Sequence, residues 1–258
     1  LERALDLQLL VRHHAKGVSL TTGGDRLVQR ARALLDDALE FESAARHLAV
    51  APAGAITIGV FAVIAPYVVP GLLQYLAQKF PDMEPRVDEV GMPELVDGVL
   101  TGRFDVGIGY DFGRPHGVRH SGLFDVSAHL VVSNTHPLAT AGRIRLAQIA
   151  DDPVVLLDLP HSRDYFSRVF AAGGVVPNVR YRSTSPDLVR AMVARGMGVA
   201  LLNMRPSHTT AVDGHGFTML DLIDDIPSVH VVAMTLDGAK ATGRTQAVLE
   251  AATELART

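Results

Sequence analysis

Apolar residues recur at alternating steps of four and three between residues 25 and 48, the heptad pattern of a helix that packs lengthwise against another helix. Thr21 or Thr22 is suited to cap the start of this helix, and Pro52 prevents its continuation. Because only about 20 residues precede the seam, too few to cover it, the pattern favours a dimerisation helix. Packing on the helix's own domain is the alternative. The seam positions are Leu27, Ala31, Leu34, Ala38, Phe41, Ala45 and Leu48.

Two short apolar segments precede this helix and flank a glycine. Val11–His13 and Val18–Leu20 predict a small β-hairpin, with Gly17 supplying the positive φ of its turn. Cationic side chains at the tip are suited to contact phosphates, which positions a protein on DNA without reading its sequence. A solvated basic surface is the alternative. The candidate DNA-contacting residues are Arg12, His13, His14 and Lys16.

After Pro52 the pattern alternates between apolar strands and amphipathic helices. The predicted strands are residues 55–63, 85–91, 104–111, 118–124, 128–133, 153–157, 179–183, 199–202, 217–222 and 229–236. The predicted helices are residues 66–80, 92–100, 162–172, 186–195 and 242–257. Two α/β units of similar size, with strands crossing between them, imply a cleft at the carboxyl ends of the strands.

Composition refines this picture. The 258 residues are 48 % hydrophobic and 20 % charged, which suits one to two folded domains after the N-terminal helix. The formal net charge is −4, but residues 1–32 carry six basic side chains against three acidic ones, a balance compatible with nucleic acid at one end. The chain has no cysteine, which excludes disulfides and thiolate metal sites and fits a reducing compartment.

The first ten residues lack the charged start and apolar core of a secretory signal, and no apolar run reaches the ~18 residues of a membrane span. The chain starts at Leu1, within a segment predicted to be helical, so we expect an N-terminal segment to be missing. A cytoplasmic protein without a membrane segment is the expectation.

Sequence motifs for catalysis or metal binding are absent. There is no HExxH, no GxSxG and no P-loop, and Gly107-x-Gly109 is too short for a dinucleotide fingerprint. His116 and His120, in a stretch rich in glycine, proline and arginine, are interpreted as solvated. The acidic pairs at 151–152 and 224–225 are interpreted as surface turns. We therefore predict no enzyme activity, no cofactor and no metal.

The segment LERALDLQLLVRHHAKGVSLTTGGDRLV resembles the end of the winged helix-turn-helix of LysR-type transcriptional regulators. Leu1–Leu5 would end the recognition helix, Arg12–Leu20 would form the wing, and the long linker helix would begin at Asp25. Thr22 stands where the family commonly has proline. The first two helices and most of the recognition helix have no counterpart in this chain.

Downstream, PELVDGVLTGRFDVGIGY and SPDLVRAMVARGMGVALLN are similar to segments of the two-subdomain, periplasmic-binding-protein-like effector domain of the same regulators. The resemblance implies an α/β fold with a remnant of the winged helix-turn-helix in residues 1–22, a dimerising linker helix in 23–51 and the effector domain in 52–258. Subdomain I would span about 54–126 and 228–258, and subdomain II about 127–227.

The function implied by this resemblance is a ligand-responsive, DNA-binding transcriptional regulator in the cytoplasm. It would act as a homodimer or homotetramer, with a small-molecule effector and, if the missing N-terminus is present, operator DNA as partners. A solute-binding protein with the same two-lobed fold is the alternative, but it should carry an export signal and no heptad helix.

In such a fold, helix N-termini line the cleft, and their unpaired N–H groups favour anions or carbonyl oxygens. A small organic acid with an apolar or aromatic body is the expected effector, with His161 as the leading polar candidate because imidazole changes charge near neutral pH. Core packing is the alternative for Phe61 and Val63, helix capping for residues 183–185, and an exposed loop position for His161. The candidate effector-binding residues are Phe61, Ala62, Val63, Tyr110, Asp158, His161, Ser162, Thr184 and Asn203.

Overall fold

The computed structural model describes residues 1–13, 17–28, 30, 31, 34, 52–113 and 115–256. The chain divides into two compact units, Leu1–Ala51 and Pro52–Thr258. Several predicted positions lie outside the described residues or have side chains that are not described: Arg12, His13, His14, Lys16, Ala38, Phe41, Ala45 and Leu48.

The first unit contains the predicted hairpin. Its elements are α1 (Glu2–Leu5), β1 (Leu10–His13), β2 (Gly17–Leu20) and the helical residues 22–28, here α2. The strands β1 and β2 pair antiparallel, and Gly17 has the expected positive φ of 87°. The Thr21 hydroxyl accepts the Gly24 N–H at 2.9 Å, which confirms a threonine cap at the start of the helix.

The described part of the heptad seam is apolar and accessible. Ala31 is exposed, Leu27 is partly buried and 69 % of the Leu34 surface is accessible in the single chain. An apolar residue at a seam position is left in this state when the helix has no partner. Pairing of two copies along this seam stays a prediction.

The second unit alternates strands and helices as predicted, with helix and strand ends that agree to within a few residues. Its strands are β3 (Gly54–Phe61), β4 (Met83–Val90), β5 (Val106–Tyr110), β6 (Val118–Val126), β7 (His129–Ser133), β8 (Arg143–Ile144), β9 (Pro153–Leu157), β10 (Asn178–Ser183), β11 (Ala200–Leu202), β12 (Phe217–Leu222) and β13 (Val229–Leu236). Its helices are α3 (Ala65–Lys79), α4 (Met92–Leu100), α5 (Ser162–Ala172), α6 (Pro186–Ala194) and α7 (Gly243–Leu255).

These strands form two bodies, named lobe 1 and lobe 2. Lobe 1 is a five-stranded sheet in the order β4-β3-β5-β13-β6, in which β3 runs parallel to β4 and β5. Lobe 2 joins β10 and β9 to the sheet β11-β7-β12-β8 through a bridge between Val154 and Val199. The chain passes from lobe 1 to lobe 2 after β6 and returns before β13, so two connections join the lobes.

Glycines in β5 allow α4 to lie close to the sheet of lobe 1. A Cβ atom on Gly109 would lie 2.7 Å from Cδ2 of Leu95 and 2.9 Å from Sδ of Met92, which is too close for packing. The two-residue strand β8 and the 3-10 turn Leu146–Ile149 were not predicted, because such short elements carry no periodic pattern. Among the described residues, no helix is both long and apolar enough to cross a bilayer.

Candidate functional site

Two helices from different lobes begin at one cavity. Helix α3 starts without a side-chain cap and has a proline in its first turn, whereas α6 is capped by Ser185, whose hydroxyl accepts the Leu188 N–H at 3.3 Å. The capping alternative is therefore confirmed for Ser185. Both N-termini direct the positive ends of their helix dipoles toward the cavity, which favours an anion there.

Arg190 on α6 is the buried charged group of this cavity, and only 5 % of its surface is exposed. One terminal nitrogen donates to the Asp187 carboxylate at 3.0 Å. The other donates to the Tyr67 hydroxyl and to the Met204 carbonyl, both at 2.9 Å. Because Tyr67 belongs to α3, this arginine links lobe 2 to lobe 1. Burial raises the pKa of Tyr67 despite the nearby Arg190, so its hydroxyl stays protonated at neutral pH.

Three spaces lie along the junction of the lobes. The arginine cavity, of about 320 Å³, is lined by residues that include Val63, Pro66, Tyr67, Asp187, Arg190 and His208. The aromatic cavity, of about 400 Å³, is lined by residues that include Met92, Val96, Tyr110, Phe112, His161 and Met234. Between them lies a closed void of about 10 Å³, which is too small to admit an organic molecule, lined by residues that include Val63, Tyr110, Ser162, Tyr165, Arg190 and Asn203.

Two buried donors that line the closed void have no hydrogen-bond partner among the described residues. They are the Tyr110 hydroxyl, on β5 of lobe 1, and the Nε of Arg190, on α6 of lobe 2. Burial also raises the pKa of Tyr110, which keeps this hydroxyl a donor. An unpaired buried donor costs about 1–3 kcal/mol, so an acceptor oxygen for each of these groups would be favoured.

Aromatic rings continue from the core of lobe 1 to the edge of lobe 2. Phe61 and Tyr110 meet edge to face at 5.5 Å, Tyr110 meets Phe112 in the same way at 5.4 Å, and Phe112 stacks on the His161 ring at 5.5 Å. His161 is therefore a contact between the lobes, because it precedes α5 in lobe 2. Tyr110, Phe112 and His161 of this row line the aromatic cavity.

The backbone at His161 is strained. Its φ is 66° and its ψ is −37°, and the Ser162 N–H donates to the Pro160 carbonyl at 2.9 Å across it. This is a γ-turn, a conformation that L-residues with a side chain rarely adopt. The turn places the imidazole against Phe112, but His161 is exposed, as the loop alternative expected.

Lobe 2 contains a fully buried imidazole, that of His129. His129 in β7 has no exposed surface, and neither ring nitrogen has a hydrogen-bond partner among the described residues. Burial, with smaller contributions from Arg205 and Arg190, lowers the pKa of His129 to about 3. The ring is consequently neutral at physiological pH.

Six of the nine candidate effector-binding residues line the three spaces: Ala62, Val63, Tyr110, His161, Ser162 and Asn203. Phe61 is a core residue with 2 % of its surface exposed. Asp158 is paired with Arg163 at 2.5 Å and with Arg182 at 3.2 Å, and the hydrogen bond from Arg163 lowers its pKa. Thr184 is exposed and is not among the residues that line these spaces.

Sequence reasoning missed the residue that dominates the site. Arg190 is the only charged residue in LVRAMVA, residues 188–194, and a single charge in an apolar helical stretch was the available signal. The interpretation of His120 as solvated was wrong. His120 belongs to β6, only 3 % of its side chain is exposed, and its ring lies 3.4 Å from the Asp111 carboxylate.

The LysR substrate binding domain model matches residues 49–257 of this chain. The chain belongs to the LysR family. It is 32 % identical to HinK, a LysR family transcriptional regulator from Pseudomonas aeruginosa, whose crystal structure matches 98 % of this chain and 84 % of that chain with a TM-score of 0.81. The C-terminal domain of a probable LysR family regulator from Rhodococcus sp. RHA1 matches 78 % of this chain and 99 % of that chain, with 29 % identity and a TM-score of 0.74.

Among curated LysR relatives, the chain is 28 % identical over 203 residues to the hydrogen peroxide-inducible genes activator of Dickeya chrysanthemi. That match covers 78 % of this chain and 66 % of the relative's length. LysR-family regulators are transcription factors rather than enzymes, in agreement with the prediction from sequence. The two-lobed α/β effector domain is likewise confirmed.

Proposed function

We propose that residues 52–258 are the effector-sensing domain of a cytoplasmic, DNA-binding transcriptional regulator, and that its effector is a small organic acid bound between the lobes. The observation that carries this proposal is the pair of unpartnered donors on the closed void, the Tyr110 hydroxyl from lobe 1 and Arg190 Nε from lobe 2. An acid whose oxygens accept from both donors joins the two lobes. Its binding free energy therefore favours the closed arrangement over the open one.

The chemical class of the effector follows from the arginine cavity. A guanidinium presents a planar set of donors that matches a carboxylate, and two helix N-termini add to the favourable potential. Ala62, Val63 and three prolines form the apolar part of the lining, beside the polar side chains of Asp187, Ser207 and His208. A cavity of about 320 Å³ matches a small organic acid with an apolar body. Because the closed void is small, the lobes separate for the acid to reach Arg190 Nε and then close around it.

Peroxide is a less suitable effector for this chain, although the Dickeya relative is named for a response to it. Proteins that react with peroxide commonly do so through a cysteine thiolate, which is oxidised to a sulfenic acid. These 258 residues contain no cysteine. The arginine cavity supports reversible binding of an acid instead.

The whole regulator would bind operator DNA as a homodimer or homotetramer, with Arg12, His13, His14 and Lys16 on phosphates and the heptad seam between two copies. The basic balance of residues 1–32 and the accessible Leu34 support this arrangement. Membership of the LysR family favours it over the solute-binding alternative. Light scattering of the full chain tests the seam, and a monomer at micromolar concentration would contradict it.

Titration calorimetry with benzoate, used as a probe acid, tests the effector class. We expect Arg190→Lys to weaken binding by about tenfold or more, because lysine has no planar fork. Tyr110→Phe should weaken it by about three- to tenfold, the value of one hydrogen bond. Thr184→Ala is the matched control and should leave the affinity unchanged, since its side chain is exposed.

Equal benzoate affinity in the wild type and in Arg190→Lys would contradict an effector site at the arginine. So would the absence of binding by benzoate and by a panel of aliphatic and hydroxy acids at millimolar concentration. Loss of binding in Thr184→Ala would move the site away from the arginine cavity, toward the loop that precedes α6.

A further inference from the structure

Asp187 accepts a hydrogen bond from the Arg190 guanidinium, the group that the proposed effector requires. Its Oδ1 accepts a hydrogen bond from one terminal nitrogen of Arg190 at 3.0 Å, three residues away on the same helix. The two side chains differ greatly in burial, since 6 % of the arginine side chain and 66 % of the aspartate side chain are exposed. The guanidinium is also fixed by Tyr67 and Met204, whereas the carboxylate stands at the rim of the arginine cavity.

The carboxylate of Asp187 remains stabilised when it leaves the guanidinium. It lies in the first turn of α6, where the helix dipole stabilises a negative charge whether or not it is paired. Water can solvate it, because most of the side chain is accessible, and ion pairs with an exposed partner contribute little net stability. Arg190 has no comparable freedom, because its buried charge needs an anion nearby.

We infer that Asp187 is a built-in competitor of the effector. Its carboxylate pairs with Arg190 in the ligand-free protein, and the carboxylate of the effector displaces it. This inference rests on the proposed function of the arginine cavity as the effector site. No covalent step is involved, only the exchange of one carboxylate for another on the same guanidinium nitrogen.

The exchange sets a minimum affinity that an acid must have for Arg190 before it can displace Asp187. Because Asp187 is attached three residues from Arg190, its effective concentration is high and constant, and a simple acid such as acetate competes poorly with it. An acid with an apolar body gains additional contacts with Val63, Pro66 and Pro186. These contacts supply the extra binding free energy that is needed to displace Asp187. Asp187 thus selects acids that have an apolar part in addition to the carboxylate. It also prevents common small anions from closing the lobes.

The test compares Asp187→Asn with Asp164→Asn in the full chain. Asp164 is an exposed acid in the first turn of α5, so its removal changes the net charge and the helix dipole interaction equally without touching Arg190. We expect Asp187→Asn to bind acetate about tenfold more tightly than the wild type, with a smaller gain for benzoate, by calorimetry. Asp164→Asn should bind both acids as the wild type does.

Thermal melting provides a readout that does not depend on the natural effector. Without anions, Asp187→Asn should melt below Asp164→Asn, because Arg190 has lost its carboxylate partner. Millimolar acetate or sulfate should restore the melting temperature of Asp187→Asn more than that of Asp164→Asn.

The outcomes separate this inference from the proposed function. Suppose that Arg190→Lys no longer binds benzoate, while Asp187→Asn binds acetate and benzoate as the wild type does. The inference that Asp187 competes with the effector is then wrong, and the proposed effector site is retained. If Arg190→Lys keeps full affinity, both are wrong. Equal gains in Asp187→Asn and Asp164→Asn would overturn the inference, since the effect would then be one of general charge. No response of Asp187→Asn to acetate, benzoate or sulfate at millimolar concentration would overturn it as well.

Discussion

The arginine cavity and the aromatic cavity are of similar size, about 320 and 400 Å³, and both lie where the lobes meet. Their chemistry differs. The first contains a buried guanidinium, whereas the described residues that line the second are apolar or aromatic apart from His161. Size alone therefore does not choose the ligand of this domain. A single buried charge decides which cavity suits an acid, because a buried guanidinium favours a bonded anion.

The two cavities are also shaped by different contacts. The aromatic cavity depends on the close packing of α4 against the glycines of β5 within lobe 1. The arginine cavity depends on contacts from Arg190 to both lobes. Tyr110 lines both the aromatic cavity and the closed void, so damage to the aromatic cavity should reach the effector site mainly through this residue. Substitutions that act on a single cavity test this dependence.

The largest effect is expected from Gly109→Val, which acts on the aromatic cavity. The new side chain would collide with Leu95 and Met92, at 2.7 and 2.9 Å from its Cβ, and should displace the start of α4. We expect the free energy of unfolding to fall by about 1–3 kcal/mol, measured by denaturant titration, as in other overpacked cores. Because Tyr110 adjoins Gly109 on β5, benzoate affinity should fall as well, but by less than in Arg190→Lys.

Gly122→Val is the matched control for this substitution. Gly122 lies in β6 of the same sheet, and a Cβ atom there would meet no atom within 4 Å. Its stability should stay near that of the wild type. Equal destabilisation by both substitutions would show that glycine in this sheet matters for reasons other than the packing of α4.

An intermediate effect is expected from the pH dependence of stability that His129 confers. Its pKa is about 3 in the folded protein and 6.5 when unfolded, so between these values the unfolded chain binds one more proton. Stability is therefore complete above pH 6.5 and falls as the pH decreases toward 3, by about 2 kcal/mol at pH 5. His129→Leu should remove this contribution, measured by denaturant titration at pH 7 and pH 5.

His208→Gln is the control for the pH series, because His208 is a histidine of the arginine cavity and is exposed. This variant should retain the pH dependence of the wild type. The assignment to His129 fails if His129→Leu loses as much stability between pH 7 and pH 5 as the wild type does.

The smallest effect is expected at the γ-turn of the aromatic cavity. Both His161→Gly and His161→Ala remove the stacking on Phe112, but only glycine adopts a φ of 66° without strain. The glycine variant should be more stable than the alanine variant by about 1 kcal/mol in thermal or chemical unfolding. Equal stability would mean that the turn relaxes once the imidazole is gone.

Local sequence patterns predicted most of the second unit. The alternation of apolar strands and amphipathic helices located β3 to β7, β9 to β13 and all five helices, because burial of one face fixes the period of each element. Loop positions at the carboxyl ends of strands located six of the nine candidates at the junction of the lobes. The position of a residue at the end of a strand does not predict whether its side chain lines a cavity, as Asp158 and Thr184 illustrate.

The sequence by itself determined the elements, the two-lobed α/β fold and the absence of thiol chemistry, since these follow from periodicity and composition. Tertiary structure alone decided the site. It joined Arg190 from one lobe with Tyr67 and Tyr110 from the other, residues separated by at least 80 positions, and it left two of their donors without partners. A pattern along the chain records which residues are buried, but electrostatic recognition depends on distances between residues that only packing brings together.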